Sequence, residues 1–472
     1  MTSKNLFTAF LFALSALPLF AIQRNYFKHP TYDVDSEMPL PYTAMYSDYY
    51  DDLDAPKCRF FEEWFSKSGA FPFFFDERAK LESSGIVPVF TYIGNFAGNP
   101  TGGRARGTGI SNSFNLGVGL DIGKLSGKKA LSGLSLGNTW AWRSGDSITP
   151  KYLGNTFSVQ QNYGSQTINL QSLFLMYEKP VFGDEYVFRL KLGRFAAGDN
   201  FMAKPIYWLY MSNSVDGNPV GMFYQTKLSA YPSGVWGAYL NIEQKDGAYI
   251  KAGVYQINDP SQDANSRHGL DWSFEKSIGV NANFEIGWDI NHDDSGKSPA
   301  NISVGIISDW YNAPHNDNPN KYSYFNCSLY FQADYMVWNM GMPEREKASY
   351  ITRDTSNAYR DLRGIIAWAA VQYDPNENLA YMPFFACGGL LFNAPFKSRA
   401  DDVLCFAVAY GKYSDKLLVP EKGSYEMVLE LNYKIQLNKF LFLQPDIQYI
   451  INTKGGAYPN ALVLGAQFGV AF

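Results

Sequence analysis

The last twelve residues, ALVLGAQFGVAF, place Leu462, Leu464, Ala466, Phe468, Val470 and Phe472 at strict two-residue spacing, all of them apolar. Such alternation marks a strand with one greasy face. YEMVLELNYKIQL, 425–437, puts Met427, Leu429, Leu431, Tyr433, Ile435 and Leu437 on one side and Glu426, Glu430, Asn432, Lys434 and Gln436 on the other. LFLQPDIQYIIN, 441–452, sets Leu441, Leu443, Ile447, Tyr449 and Ile451 against Gln444, Asp446 and Gln448. Sandwich strands alternate too, but they run about five or six residues. Runs of about ten to thirteen, repeated this often, match a membrane wall about 25 Å tall. Pro445 lacks a ladder donor, so a bulge on the lipid side is expected there.

From residue 86 to 472 the chain offers seventeen such segments, separated by Gly, Asn, Asp and Pro. Single-chain bacterial barrels have an even number of strands, so one segment is surplus. The long stretches 145–168 and 198–222 must be outer loops, whereas PVFGDE and LNKF are inner turns. Counting from both ends agrees when 269–290 supplies one strand. The pattern therefore predicts an all-β transmembrane antiparallel β-barrel of 16 strands, with 18 as the alternative, in which the last strand closes against the first. On this count 341–364 is an unusually long inner connection. The loop 198–222, with Tyr207, Trp208 and Tyr210, has two courses open to it: inward to narrow the channel, or over the outer rim.

Ahead of the barrel, Lys4 and the apolar stretch Leu6–Ile22 read as a signal peptide, 1–21, removed on export. An N-terminal extension, 22–85, follows: acidic and Tyr-rich to about residue 57, then one or two small helices in EEWFSKSGAF and FDERAKLESSGI. After the leader no run reaches the roughly 18 apolar residues of a membrane helix, so a spanning chain must close as a barrel.

Composition sharpens this picture. The chain has 33 Tyr, 35 Phe and 10 Trp against 18% charged residues, which favours strands and aromatic belts. A net charge of −5 argues against a nucleic-acid partner. Cys58, Cys327, Cys387 and Cys405 form no C-x-x-C pair and have no His neighbours, so a zinc site is not expected. They are either buried thiols or disulfide partners within the envelope. His29, His268, His292 and His315 sit in no nucleophile or metal motif, and neither G-x-S-x-G nor H-E-x-x-H occurs. No enzyme, cofactor or metal is expected.

Several segments together resemble the carbohydrate-selective porins of the OprB family. The resemblance rests on DDVLCFAVAYGKYSD, SYEMVLELNYKIQL and the terminal FLFLQPDIQYIINTKGGAYPNALVLGAQFGVAF, with LFLMYEKPVF, RLKLGRFAAGDNFM, SRHGLDW and FQADYMVW upstream. It covers about 80–472 and implies a sixteen-stranded outer-membrane barrel admitting small sugars such as glucose down their gradient. It also implies outer-membrane lipid as surroundings and assembly machinery that reads the terminal Phe472. The acidic segment, the inner insertion and the cysteines depart from the family pattern. So does Phe174, where the fourth strand of family members tends to carry an acidic residue.

A sugar-selective pore adds flat aromatic faces and bidentate polar groups to its lumen. Strand phase puts Arg143, Arg189, Lys191, Asp334, Trp338, Glu430, Asp446 and Gln448 inside, where some of them would touch solute. The plainer alternative for each is a solvated lumen residue paired across strands. Trp140 and Trp142 face the other way and read as interfacial girdle residues. Two competing functions remain: a porin for other small solutes, by general diffusion or for anionic acids, for which Arg143, Arg189 and Lys191 would be the basic group, and a cysteine-linked structural or surface envelope protein.

Overall fold

The computed structural model describes Leu81 and residues 84–164, 166–182, 185–244, 247–258, 268–270, 272–274, 277–291, 297–341, 362–437 and 441–471. The leader, the acidic segment, the small helices of the extension, Cys58, His29, His292, most of the 341–364 connection and Phe472 lie outside these residues. Among the described residues no helix is long and apolar enough to cross a membrane.

Sixteen strands form one closed antiparallel sheet within the compact unit Val34–Phe472. They are β1 (Ile86–Thr101), β2 (Gly107–Asp121), β3 (Leu134–Gly145), β4 (Ile168–Val181), β5 (Tyr186–Phe195), β6 (Val235–Gln244), β7 (Ala248–Asn258) and β8 (Ser277–Ile290). The second half comprises β9 (Ala300–Pro314), β10 (Tyr322–Asn339), β11 (Gly364–Tyr373), β12 (Phe384–Asn393), β13 (Val403–Lys412), β14 (Tyr425–Gln436), β15 (Leu441–Ile451) and β16 (Ala461–Ala471). Each strand pairs with its chain neighbours, and β16 pairs with β1 from Thr91 opposite Ala471 to Thr101 opposite Leu462. The apolar terminal strand therefore has no open edge.

Burial alternates along the strands in the sense opposite to a soluble protein. Asn95, Ser111, Gln332, Gln372, Gln444 and Gln448 are buried inside, while Leu116, Leu192, Ile447 and Leu464 stand exposed on the outer wall. A polar interior and an apolar exterior are what a lipid-embedded barrel requires. Trp142 is on that outer wall, stacked on Phe114 at 5.0 Å, which in turn lies 4.6 Å from Tyr92.

The connections alternate between ends as the sequence pattern predicts. Short links join β4 to β5, β6 to β7 and β14 to β15 at one end, and the long stretches 146–167 and 196–234 lie at the other. The end with the short links is the inner end on this assignment, and the connection between β10 and β11 falls there too.

The stretch 269–290 supplies one strand, β8, as the count requires; ahead of it His268 and Gly269 adopt left-handed φ of 54° and 72°. Trp272 and Phe274 pack on Trp236 of β6, the latter stacked at 5.8 Å. No bulge forms at Pro445, because β14 and β15 keep one register and simply carry no pair between Asn432/Asp446 and Ile435/Leu443. A bulge does occur in β10, where Met336 pairs Ile366 but Trp338 pairs Ile365, and the phase of the strand flips past Val337.

The outward position of Leu431, mid-strand in β14, gives a direct check on this topology. Leu431→Lys should lower stability in lipid vesicles by about 2–4 kcal/mol, read from the urea midpoint. An unchanged midpoint would place that face away from hydrocarbon.

Candidate functional site

Loop 196–234 leaves β5 and enters the lumen. Lys204 donates to Asn301 of β9 and Asp334 of β10, and Tyr207 donates its hydroxyl to Gln332 Oε1 at 3.1 Å. Farther along, Trp368 of β11 donates to the Tyr210 hydroxyl, which donates to the carbonyl of Phe406 on β13. At its far point the loop reaches β14 and β15, where Gln444 donates to the carbonyl of Leu209 at 2.8 Å. Its return passes Asp309, which accepts from Lys227 N, and Asn115, which accepts from the Tyr231 hydroxyl.

Loop 146–167 also folds inward, along the wall from β2 round to β14. Gln160 donates to the Asn95 carbonyl, Asn162 to those of Ile93 and Ser111, and Gln448 to that of Val159. The two loops meet through Gln161 N to Met211 O at 3.1 Å and Asn213 N to Ser158 O at 2.8 Å.

Strand β14 holds both. Glu430 accepts from the backbone amides of Met211 and Ser212 at 2.7 and 3.1 Å. Two repeats of the pleat farther outward, Glu426 accepts from those of Thr156 and Phe157, each at 2.9 Å, and from Lys454 N at 2.7 Å. A carboxylate with several acceptor positions suits a loop whose amides have left both water and sheet. Such charge-assisted bonds are worth about 1.5–3 kcal/mol each.

A barrel wall with polar residues inside and loops drawn across its bore is the construction of a porin, and the match to a family model decides which kind. Residues 106–472 match the carbohydrate-selective porin family OprB. The chain belongs to that family. In fold it is similar to Pseudomonas putida OprB, with TM-scores of 0.70 and 0.51 to its high-pH and low-pH structures at 20% and 16% identity. Each likeness covers 84% of this chain, and 97% and 96% of those. It is also 23% identical to "Putative porin QuiX" of Acinetobacter baylyi, over 80% of this chain and 87% of that one.

Within this porin, seven of the eight residues singled out from strand phase face the lumen, and the structure gives each a protein partner. Arg189 is held by two carboxylates, Glu178 at 2.6 Å and Glu243 at 2.5 Å. Lys191 has its ammonium 4.1 and 4.3 Å from the ring centres of Phe174 and Phe195 and makes no hydrogen bond. Arg143 lies 4.6 Å over the Tyr231 ring. Asp334 binds Lys204, Glu430 the loop amides, Asp446 the Gln448 amide at 2.8 Å. Trp338 is the correction: the bulge at Val337 turns it outward, and it stands 57% exposed on the lipid-facing wall.

Sequence phase alone missed the loop fasteners Glu426, Gln160 and Gln444. Glu426 and Gln444 carry one visible signal, polar placement on the inward face of a strand, which ordinary lumen residues share, and Gln160, in the loop, carries none. On the loop itself, burial and then the Glu430 carboxylate hold the Asp216 carboxyl well above the usual carboxylate range, against the pull of Arg143 and Lys434. Asp216 is thus a weaker negative charge in the bore than its formula suggests.

Removing the fastener should open the channel. Glu430→Ala leaves two loop amides without their acceptor, at a cost of about 1–3 kcal/mol each. Single-channel conductance in planar bilayers should rise with added flicker, and Glu430→Gln, which keeps a carbonyl acceptor, should fall between. Conductance equal to wild type in both variants would remove Glu430 from this role.

Proposed function

We propose that this porin is a passive outer-membrane channel for small neutral sugars, glucose among them. The observation that carries the reading is the state of the basic residues. An anion-selective pore needs cations that a solute can reach, yet Arg189 is neutralised by two carboxylates and Lys191 is boxed between two aromatic rings. Field therefore gives anions little advantage, and the infolded loops leave width and hydrogen bonding as the sorting principles. The reading as a porin for anionic acids has no comparable support.

We extend the proposal to the route the chain takes. Residues 1–21 are a leader cleaved on export, 22–85 a periplasmic extension, and the alternation ending on Phe472 the signal for outer-membrane assembly. Cys387 and Cys405 are buried, free thiols inside the barrel, and Cys327 is a half-buried free thiol. That disfavours a cysteine-linked envelope protein joined through Cys387 or Cys405.

Liposome swelling with the purified full barrel tests this reading. Glucose should enter several times faster than a dicarboxylate of similar size and faster than a disaccharide. Permeation that tracks size alone, or that favours the dicarboxylate, would contradict it.

A further inference from the structure

At its outer end β4 runs past its neighbour. The ladder with β5 begins only at Leu173 opposite Arg194, so 168–172 have no strand beside them on that side. Leu170 stands opposite Trp140 in the ladder with β3 and so belongs to the outer wall. It is nevertheless 3% exposed, whereas Leu175 and Leu192 of the same wall stand open. The connection between β7 and β8 lies against it. Leu170 N donates to the carbonyl of His268 at 2.9 Å, and His268 Nδ1 donates to that of Ile168 at 2.8 Å. Gly269 sits so close that a Cβ there would come within 2.5 Å of the Leu170 carbonyl oxygen.

From β4 this connection returns across the outer side of β6. Trp236 Nε1 donates to the carbonyl of Trp272 at 3.1 Å, the Phe274 ring stacks on that of Trp236, and Ser277 N donates to the carbonyl of Phe274 at 3.0 Å. It thus wraps the outside of the wall, opposite in sense to the two loops that enter the bore. The carbonyls of His268, Trp272 and Phe274 are all satisfied within the protein, as a position next to hydrocarbon demands. Arg194, opposite Trp236 on the same face, is buried and donates to the carbonyl of Gly234 at 2.9 Å. What the wrap shows to its surroundings is apolar: Leu270, Trp272 and Phe274 are 52%, 45% and 64% exposed. On the wall to either side stand Trp142 and Ile168 of β3 and β4, and Val280 and Trp310 of β8 and β9, also open.

We propose that 268–270 and 272–274 form an interfacial membrane anchor, a piece of loop that extends the lipid-facing wall beyond the sheet. Leu270, Trp272 and Phe274 are set among the acyl chains of outer-leaflet lipid. Indole rings favour that depth. A second copy of the chain is the other candidate cover. Lipid is preferred because the patch is unbroken with a wall that lipid already surrounds. The anchor is independent of what the channel carries.

The test is quenching of tryptophan fluorescence in the full barrel, refolded into phosphatidylcholine vesicles whose acyl chains carry bromine near the headgroup. Emission lost by wild type, less that lost by Trp272→Phe, gives the share of Trp272, and Trp142→Phe does the same for the girdle. Trp272 should lose as large a fraction as Trp142 and be poorly quenched by acrylamide in the water. Should Trp272→Phe fail to assemble, Phe274→Trp adds an indole at the most exposed of the three sites, and its gain over wild type is read in the same way. If bromine leaves Trp272 emission intact while acrylamide quenches it, the loop stands in water and the anchor is overturned. If neither quencher reaches it, protein covers the patch and the lipid assignment is overturned as well; chemical cross-linking in the vesicles would then reveal the second copy.

Discussion

A backbone amide facing hydrocarbon has no water to turn to, and every such group must find its partner inside the chain. This single requirement fixes the barrel. It is why β16 must find β1, with Tyr92 opposite Val470 and Phe96 opposite Ala466, instead of ending as an exposed edge. It is also why polarity is inverted, with Asn95 and Gln467 inside and Leu464 and Phe468 outside. The greasy terminal strand that would make a soluble protein aggregate is here the closing stave.

The same accounting governs the bore. Two long loops leave the sheet and enter a narrow polar lumen, where their amides need acceptors that neither strand ladders nor bulk water supply. The inward face of β14 provides them: Glu426 takes amides from one loop, Glu430 from the other, and Gln444 and Gln448 of β15 donate to loop carbonyls. Charge spent in this way is not available to attract ions. With Arg189 paired to two carboxylates and Lys191 boxed by two rings, the bore offers anions little to bind, which agrees with membership of a carbohydrate-selective family.

The wall was legible in the sequence because alternation is a local property. Strand count, closure, the sides of the long loops and the reduction of 269–290 to one strand all follow from counting, since antiparallel strands must alternate in direction. What was not legible depends on contacts far apart in the chain. Whether 198–222 turned inward depended on Glu430 and Gln332, more than a hundred residues away, and the inward course of 146–167 left no local mark. Trp338 failed for a narrower reason. Phase reading assumes an unbroken period of two, and one extra residue at Val337 reverses every side chain after it. Arg189 was placed on the correct face, yet its neutralisation by Glu178 and Glu243 required the register of three strands at once.

The central claim is that the infolded loops are fixed parts of the pore, held by side chains of β14 and β15. Amide hydrogen exchange of the barrel in lipid nanodiscs tests it most directly. Peptides spanning 155–162 and 209–214 should exchange nearly as slowly as the strands, and far more slowly than the loop between β1 and β2. Exchange of both peptides at the rate of exposed loops would mean that the carboxylates do not hold them, and the account of the constriction would fail.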